Sequence, residues 1–214
     1  MTTPCIDNYR DLPLGLYEQI CAVRREEDID NQIAVLALLT GQTERDILDL
    51  PIGDYSRLAK KAAFLYTAPE ADTLPRVADA YKVNGWELIP TKDLRKITAA
   101  QYIDFQEYTK KPDDAANLAP ILSCFLIPKG CKYNDGYDVL EVQTAIRELS
   151  VADVLAVSAF FFRQYAALML DTRTSLERLA SRERNPGKRA ELEARMERMR
   201  EMWKRLTAGV GFGA

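Results

Sequence analysis

Residues 33–55 read IAVLALLTGQTERDILDLPIGDY, and this stretch decides the fold class because a helical pattern stops and restarts in it twice. The apolar run ends at Thr40-Gly41, since glycine readily adopts the left-handed conformation that ends helices. Thr43-Glu44-Arg45-Asp46 has the arrangement of a capping box and opens a helix of two turns, which ends before Pro51. Asp54 lies in the first turn of the next helix, where its charge meets the positive end of the helix dipole. The sequence therefore predicts short helices joined by sharp turns.

Further helical patterns precede and follow this stretch. Pro13 favours the start of a first helix over residues 12–27, and Asp28 or Asp30 is the predicted cap of the second. The fourth helix is predicted over residues 54–66, DYSRLAKKAAFLY. These segments form a first helical unit.

A β-hairpin is predicted after this unit. Residues 81–90 read YKVNGWELIP, and Asn84-Gly85 between apolar and aromatic residues is a strong hairpin signal. An isolated two-stranded ribbon is marginally stable, so we expect it to pack on helices or on a partner.

Helical patterns resume after the hairpin. Thr98 and Gln101 form a second capping box, and Ser150 and Asp153 a third. The apolar run 118–126 ends before Pro128 and Gly130, and residues 134–138, NDGYD, are predicted as a turn. The predicted helices cover residues 97–108, 118–126 and 139–149, then a long helix from Ser150 to about Arg184 and a last one over residues 188–206.

The second set of helices resembles the first. Tyr17 aligns with Tyr102, and the same shift places Asp28 over Asp113, Ala34 over Ala119, and Ile33 and Leu36 over Leu118 and Ile121. Tyr17 to Asp54 spans 37 positions and Tyr102 to Asp153 spans 51, so the second copy carries an insertion of fourteen residues. After it, Ile47, Leu50 and Asp54 align with Ile146, Leu149 and Asp153. The pattern indicates a duplication, and apolar periodicity shared by chance is the alternative.

The predicted fold is therefore mainly α: a helical bundle of two related small helical units with one short β-hairpin between them and a C-terminal helical extension. The predicted boundaries are 1–68 for the first unit, 69–95 for the linker with the hairpin, 96–184 for the second unit, and 185–214 for an amphipathic helix with a flexible tail.

Composition excludes several kinds of site. The 214-residue chain has no histidine, so histidine bases and histidine metal ligands are impossible. Cys5, Cys21, Cys124 and Cys131 lack paired zinc spacing and are expected to be reduced thiols. No phosphate-binding loop is present, and NDGYD lacks the ligands of a calcium loop. We predict no catalytic, cofactor or metal site and a non-enzymatic protein, while an enzyme that uses carboxylates alone stays open.

Two features bear on nucleic acids and membranes. The net charge of −3 argues against a broad nucleic-acid surface. Residues 151–170 are apolar over a length that could cross a membrane, but Asp153 and Arg163 lie within them, so a helix in the protein core explains them better. Residues 1–11 contain charges and no apolar segment of a secretory signal, so a cytoplasmic location is expected.

The terminal helix carries the predicted partner-binding residues. Leu192, Met196, Met199, Trp203 and Leu206 follow a spacing of 4, 3, 4 and 3, which is a heptad seam. The seam either docks on the chain's own bundle or contacts another chain, and methionines on such a face accept varied partners. Phe160-Phe161-Phe162 is a second apolar feature, and the chain's own core is its favoured surrounding.

Residues 26–65, EEDIDNQIAVLALLTGQTERDILDLPIGDYSRLAKKAAFL, resemble the tail assembly chaperones of tailed bacteriophages. The resemblance covers an acidic start, an apolar helix that ends in the turn Leu39-Thr40-Gly41, a short capped helix, and the step from Leu50 to Asp54. It implies a non-enzymatic protein that binds the tape-measure protein and recruits tail-tube subunits, located in the cytoplasm of the host bacterium, with the virion as the alternative.

The rest of the chain departs from the family. The second unit, the hairpin and the terminal helix make this chain longer than many such chaperones, so a structural subunit of the virion, in the neck or tail, is an alternative. A helical regulatory module that binds proteins is another. Homo-oligomerisation stays open, and no cofactor, nucleic acid or membrane partner is expected.

Overall fold

The computed structural model describes residues 6–23, 29–67, 69, 73–109, 117–183, 185–194 and 197, without the side chains of 166, 169 and 173. Within them the protein is mainly α, with a small antiparallel sheet, as the sequence predicts. The helices of the first unit are α1 (Leu14–Val23), α2 (Ile29–Thr40), α3 (Glu44–Leu48) and α4 (Ile52–Ala62), and a 3-10 turn, Ala63–Tyr66, follows α4.

The helices of the first unit begin and end close to the predicted residues. Gly41 has φ 64° and ends α2. The Thr43 hydroxyl accepts a hydrogen bond from the Asp46 amide, and the Asp46 carboxylate accepts one from the Thr43 amide, which completes the capping box of α3. Asp54 lies in the first turn of α4. Of the two caps predicted for α2, Asp28 lies outside the described residues and Asp30 lies within the first turn.

The hairpin consists of β1 (Tyr81–Val83) and β2 (Trp86–Pro90), joined at Asn84 and Gly85, whose φ angles are 46° and 80°. Both turn residues are thus left-handed, as the tightest hairpin turns require. A third strand, β3 (Leu126–Pro128), pairs antiparallel with β2, so the order is β1-β2-β3.

The third strand corrects the predicted helix over 118–126. Helix α6 (Leu118–Ser123) ends before Leu126. A residue that precedes proline is pushed out of the helical region, and the edge of a sheet tolerates the missing proline amide, so Ile127-Pro128 fits β3 better than a helix.

The second unit contains α5 (Ala99–Tyr108), α6, α7 (Val139–Arg147) and α8 (Val151–Arg182). The Thr98–Gln101 capping box is present, and the Ser150 hydroxyl caps the Asp153 amide at the start of α8. Asn134 and Gly136 have positive φ, so NDGYD is a turn. Residues 186–194 are helical after the break at 185.

The two units have the same helix order and the same register. Tyr17 and Tyr102 are each the fourth residue of a ten-residue helix, α1 and α5. Asp54 and Asp153 are each the third residue, in α4 and α8. In both units the second helix packs on the first, third and fourth helices. These correspondences are what the proposed duplication predicts.

Buried apolar side chains form two clusters. One lies in the first unit and includes Leu36 and Ile47; the other lies in the second unit, beneath the sheet, and includes Leu88 and Phe125. The clusters share contacts across the units, because Leu14 of α1 belongs to the second cluster and Val151 of α8 to the first. The first half of α8 is thus a core helix in the structure.

Candidate interaction surfaces

The predicted heptad seam is described only at its first residue. Leu192 lies half-buried in the helical residues 186–194. Met196, Met199, Trp203 and Leu206 lie outside the described residues, so the seam stays a prediction.

The triple-phenylalanine run belongs to the core, as favoured from the sequence. Phe161 is buried, and its ring stacks on Phe125 at a centroid distance of 4.5 Å. Phe160 and Phe162 are half-buried against the same cluster. The run therefore packs within the second unit's core, with Phe161 buried and its two neighbours partly covered.

A first exposed apolar surface lies where α3 turns into α4, and we call residues 48–53 the α3–α4 corner. The side chain of Leu48 is 64% exposed and that of Ile52 is 79% exposed. Pro51 and Gly53 are exposed beside them. Ile47 is buried, and Leu48, about 100° further round the helix, points away from the core.

A second exposed apolar surface lies on α5, and we call residues 97–103 the α5 start. Gln101 and Phe105 take the inward positions of this helix. Ile103 is 63% exposed and Tyr102 is exposed beside it, with Ala99 and Ala100 one turn earlier. The sequence pattern predicts no partner role for either surface, although the adjacent apolar pairs Ile47-Leu48 and Tyr102-Ile103 mark helical faces that a single neighbouring helix does not cover.

The C-terminal half of α8 also exposes large apolar residues. Leu170 and Leu179 are exposed, and no described residue of α8 after Tyr165 belongs to either cluster. The helix alone spans roughly 25 Å beyond that point at 1.5 Å per residue. After the break at 185, the helical residues 186–194 contain Leu192, the first residue of the predicted seam.

The buried thiol of Cys124 is the candidate nucleophile among the described residues, and its surroundings decide whether it could react. The Sγ atom of Cys124 lies 3.8 Å from the hydroxyl of Tyr133, which donates a 2.7 Å hydrogen bond to the Asp104 carboxylate. Burial raises the pKa of the Cys124 thiol to about 12. Burial, followed by the hydrogen bond with Asp104, raises the pKa of Tyr133 above its ordinary value. Both groups stay protonated near neutral pH, so this cluster ties the loop after β3 to α5 and α6 and supplies no nucleophile.

The described residues offer no metal centre and one membrane-length helix. Among the residues that the structure describes, no three or more His, Cys, Asp or Glu side chains are grouped to hold a metal ion. In the same residues α8 is the one helix long and apolar enough to cross a membrane, and 47% of its most apolar window is buried inside the protein.

Comparison with protein-family models, with curated proteins and with solved structures gives no match.

Proposed function

We propose that this chain is a non-enzymatic assembly protein of a tailed bacteriophage, a tail assembly chaperone that binds the tape-measure protein and the tail-tube subunits. The resemblance of residues 26–65 supports the family, and the described part of this stretch contains α2, α3 and α4.

The observation that carries a protein-binding role is a pair of exposed leucines in the C-terminal half of α8, which point to opposite sides of the helix. Leu170 and Leu179 remain exposed outside both clusters, and the heptad seam from Leu192 to Leu206 follows in the chain. Large apolar side chains in contact with water lose the free energy that burial would supply, about 1.5–3 kcal/mol for a fully buried leucine. A long helical client offers the apolar stripe that such a surface would cover.

Binding through apolar seams also suits a chaperone. Met196 and Met199 supply flexible side chains that adapt to different apolar surfaces. A tape-measure protein presents many successive helical segments, so an adaptable seam would hold it in solution without strict sequence selection.

The test is recovery of partners by tagged full-length chain from cells that express its neighbouring genes. Stoichiometric recovery of a very long helical protein or a tube subunit is expected. Met199→Glu with Trp203→Glu should abolish this recovery and leave the helical circular-dichroism signal unchanged.

Arg198→Glu is the matched control for this double variant. It changes the net charge by the same amount, and a helical register places residue 198 away from the seam, so it should bind normally. Recovery of neither partner by the unchanged chain would refute the proposal.

A structural subunit of the virion is the second candidate. The observation that favours it is the pair of exposed apolar surfaces, the α3–α4 corner and the α5 start, since a subunit needs surfaces for its neighbours in the particle. Mass spectrometry of purified particles separates the two candidates. A chaperone should be absent from finished particles, whereas a subunit should be present at a fixed copy number.

A further inference from the structure

The two units are joined by a specific contact, which we call the internal joint. In it, the turn between α7 and α8 docks on the segment that leads into α1. The Leu14 amide donates a 2.9 Å hydrogen bond to the Leu149 carbonyl, and the Val151 amide donates a 2.8 Å hydrogen bond to the Leu12 carbonyl. Arg147 donates a 2.8 Å hydrogen bond to the Glu18 carboxylate. The joint buries Val151 and Leu12 completely.

Each unit contains both halves of such a joint. The register of the duplication makes the α3–α4 corner the equivalent of the turn between α7 and α8. It also makes the α5 start the equivalent of the segment that leads into α1. The internal joint pairs the turn between α7 and α8, from the second unit, with the segment that leads into α1, from the first unit. The two remaining segments, the α3–α4 corner and the α5 start, are largely exposed, and we call them the unused halves.

The ion pair of the internal joint has two apolar residues as its equivalents at the unused halves. Glu18 corresponds to Ile103, and Arg147 corresponds to Leu48. An ion pair inside the joint is thus replaced by two apolar side chains, which are 63% and 64% exposed. If the unused halves met, these two side chains would lie against each other, as Glu18 and Arg147 do.

The residue at the centre of the internal joint also has an exposed apolar equivalent. Val151 is fully buried in the internal joint, and its equivalent, Ile52, is 79% exposed. Gly15, whose added Cβ would lie 3.3 Å from the Arg147 Cβ, corresponds to Ala100. A contact between the unused halves must therefore open by a few tenths of an ångström at this point.

The backbone groups that would repeat the joint are also available. Their equivalents are the amides of Ala99 and Ile52 and the carbonyls of Leu50 and Ile97. Within the described part of the chain, these four groups make no hydrogen bond. The two hydrogen bonds of the internal joint can therefore form again between the unused halves.

The charges that flank the two halves are of opposite sign. Residues 44–57 around the corner contain four carboxylates and two arginines, at positions Glu44, Asp46, Asp49 and Asp54 against Arg45 and Arg57. Residues 92–103 contain three cations and one carboxylate, at positions Lys92, Arg95 and Lys96 against Asp93. Most of these charges pair locally, Lys92 with Asp79 among them, and among the described residues Glu44, Asp46 and Lys96 are left without an ion pair; the attraction between these charges favours the contact.

We propose that the α3–α4 corner of one copy docks on the α5 start of a second copy and repeats the internal joint between chains. The two surfaces are different, so the contact is head-to-tail, and each added copy leaves one corner and one α5 start for the next. Such a contact builds a closed ring or an open filament. This self-assembly goes beyond the proposed function and does not require a tail protein as client.

The test is the mass of the full chain in solution, measured by sedimentation velocity over a range of concentrations up to roughly 100 µM. The unchanged chain should form species larger than a dimer. Ile52→Asp places a charge on the α3–α4 corner and Ile103→Asp places one on the α5 start. Each substitution should abolish binding by that surface, so each variant alone should be monomeric. An equimolar mixture of the two variants should form a dimer and nothing larger, because one intact corner then meets one intact α5 start.

A charge exchange provides a second, independent variant. Leu48→Arg alone should abolish assembly, and Leu48→Arg with Ile103→Glu in the same chain should restore it by recreating the Arg147–Glu18 pair. Leu140→Asp is the control, since Leu140 is exposed on α7 outside both surfaces, and it should assemble normally. A monomeric unchanged chain, or a mixture of Ile52→Asp and Ile103→Asp that stays monomeric, would overturn the proposal. So would assembly that survives both of these variants and is lost only when Met199 and Trp203 are changed.

Discussion

Val151 and Ile52 occupy equivalent positions, each the first residue of its helix, and they allow the internal joint to be tested by paired alanine substitutions. Both substitutions shorten a β-branched side chain at the same helical position, so the local effects on the helix are alike. The side chains differ in burial, since Val151 is fully buried and Ile52 is 79% exposed. Any large difference in the effect on stability must therefore come from the joint.

The expected cost of Val151→Ala can be worked out from its burial. The substitution removes two buried carbon groups at about 0.8 kcal/mol each, and the cavity that remains adds roughly another 1 kcal/mol. The free energy of unfolding should fall by about 2–3 kcal/mol, and the melting temperature by roughly 5–10 °C for a chain of this size. Ile52→Ala should change the free energy of unfolding by less than about 0.5 kcal/mol, as surface substitutions usually do.

Urea unfolding followed by circular dichroism measures both effects. The samples should be dilute enough to be monomeric, because assembly through Ile52 would add concentration-dependent stability. A shift of the midpoint with an unchanged slope indicates a change in stability alone. Equal losses for the two variants, or no loss for Val151→Ala, would refute the assignment of Val151 to a closed joint and of Ile52 to an open surface.

Three further predictions concern single residues. Gly41→Ala should lower the free energy of unfolding by about 1–2 kcal/mol, measured by urea unfolding, because a residue with a Cβ is strained at φ 64°. The added Cβ would meet no neighbouring atom, so this backbone strain is the whole expected cost. The raised pKa of Cys124 should leave it unmodified by iodoacetamide at pH 8 in the folded protein, while half-buried Cys131 reacts; peptide mass spectrometry distinguishes them. Stability should also fall as pH rises from about 9 to about 12, because the unfolded thiol releases its proton near its ordinary pKa of 9.0 and the folded one near 12. Tyr133→Phe should cost about 1–2 kcal/mol in urea unfolding, since it removes the hydrogen bond to Asp104, and an unchanged midpoint would contradict that contact.

The proposed self-assembly surfaces, the α3–α4 corner and the α5 start, could be predicted from the sequence only in part. The proposed duplication rests on the alignment of Tyr17 with Tyr102 and of Asp54 with Asp153, and the same alignment later identifies the two unused halves of the joint. The alignment alone gave no reason to separate Ile52 from Val151, because both are apolar residues at the start of a helix. Their difference arises only when the second unit folds back onto α1.

The sequence by itself determined the local elements of this protein. The capping boxes at Thr43 and Thr98, the end of α2 at Gly41 and the turn at Asn84-Gly85 all follow from conformational preferences of one to four neighbouring residues. The tertiary structure alone decided the rest. Residues 126–128 become a strand because β2 lies beside them. Val151 is buried because the turn between α7 and α8 docks on the segment that leads into α1, whereas Ile52 has no such contact among the described residues and is exposed. Such outcomes depend on contacts between residues far apart in the chain, which a local pattern does not encode.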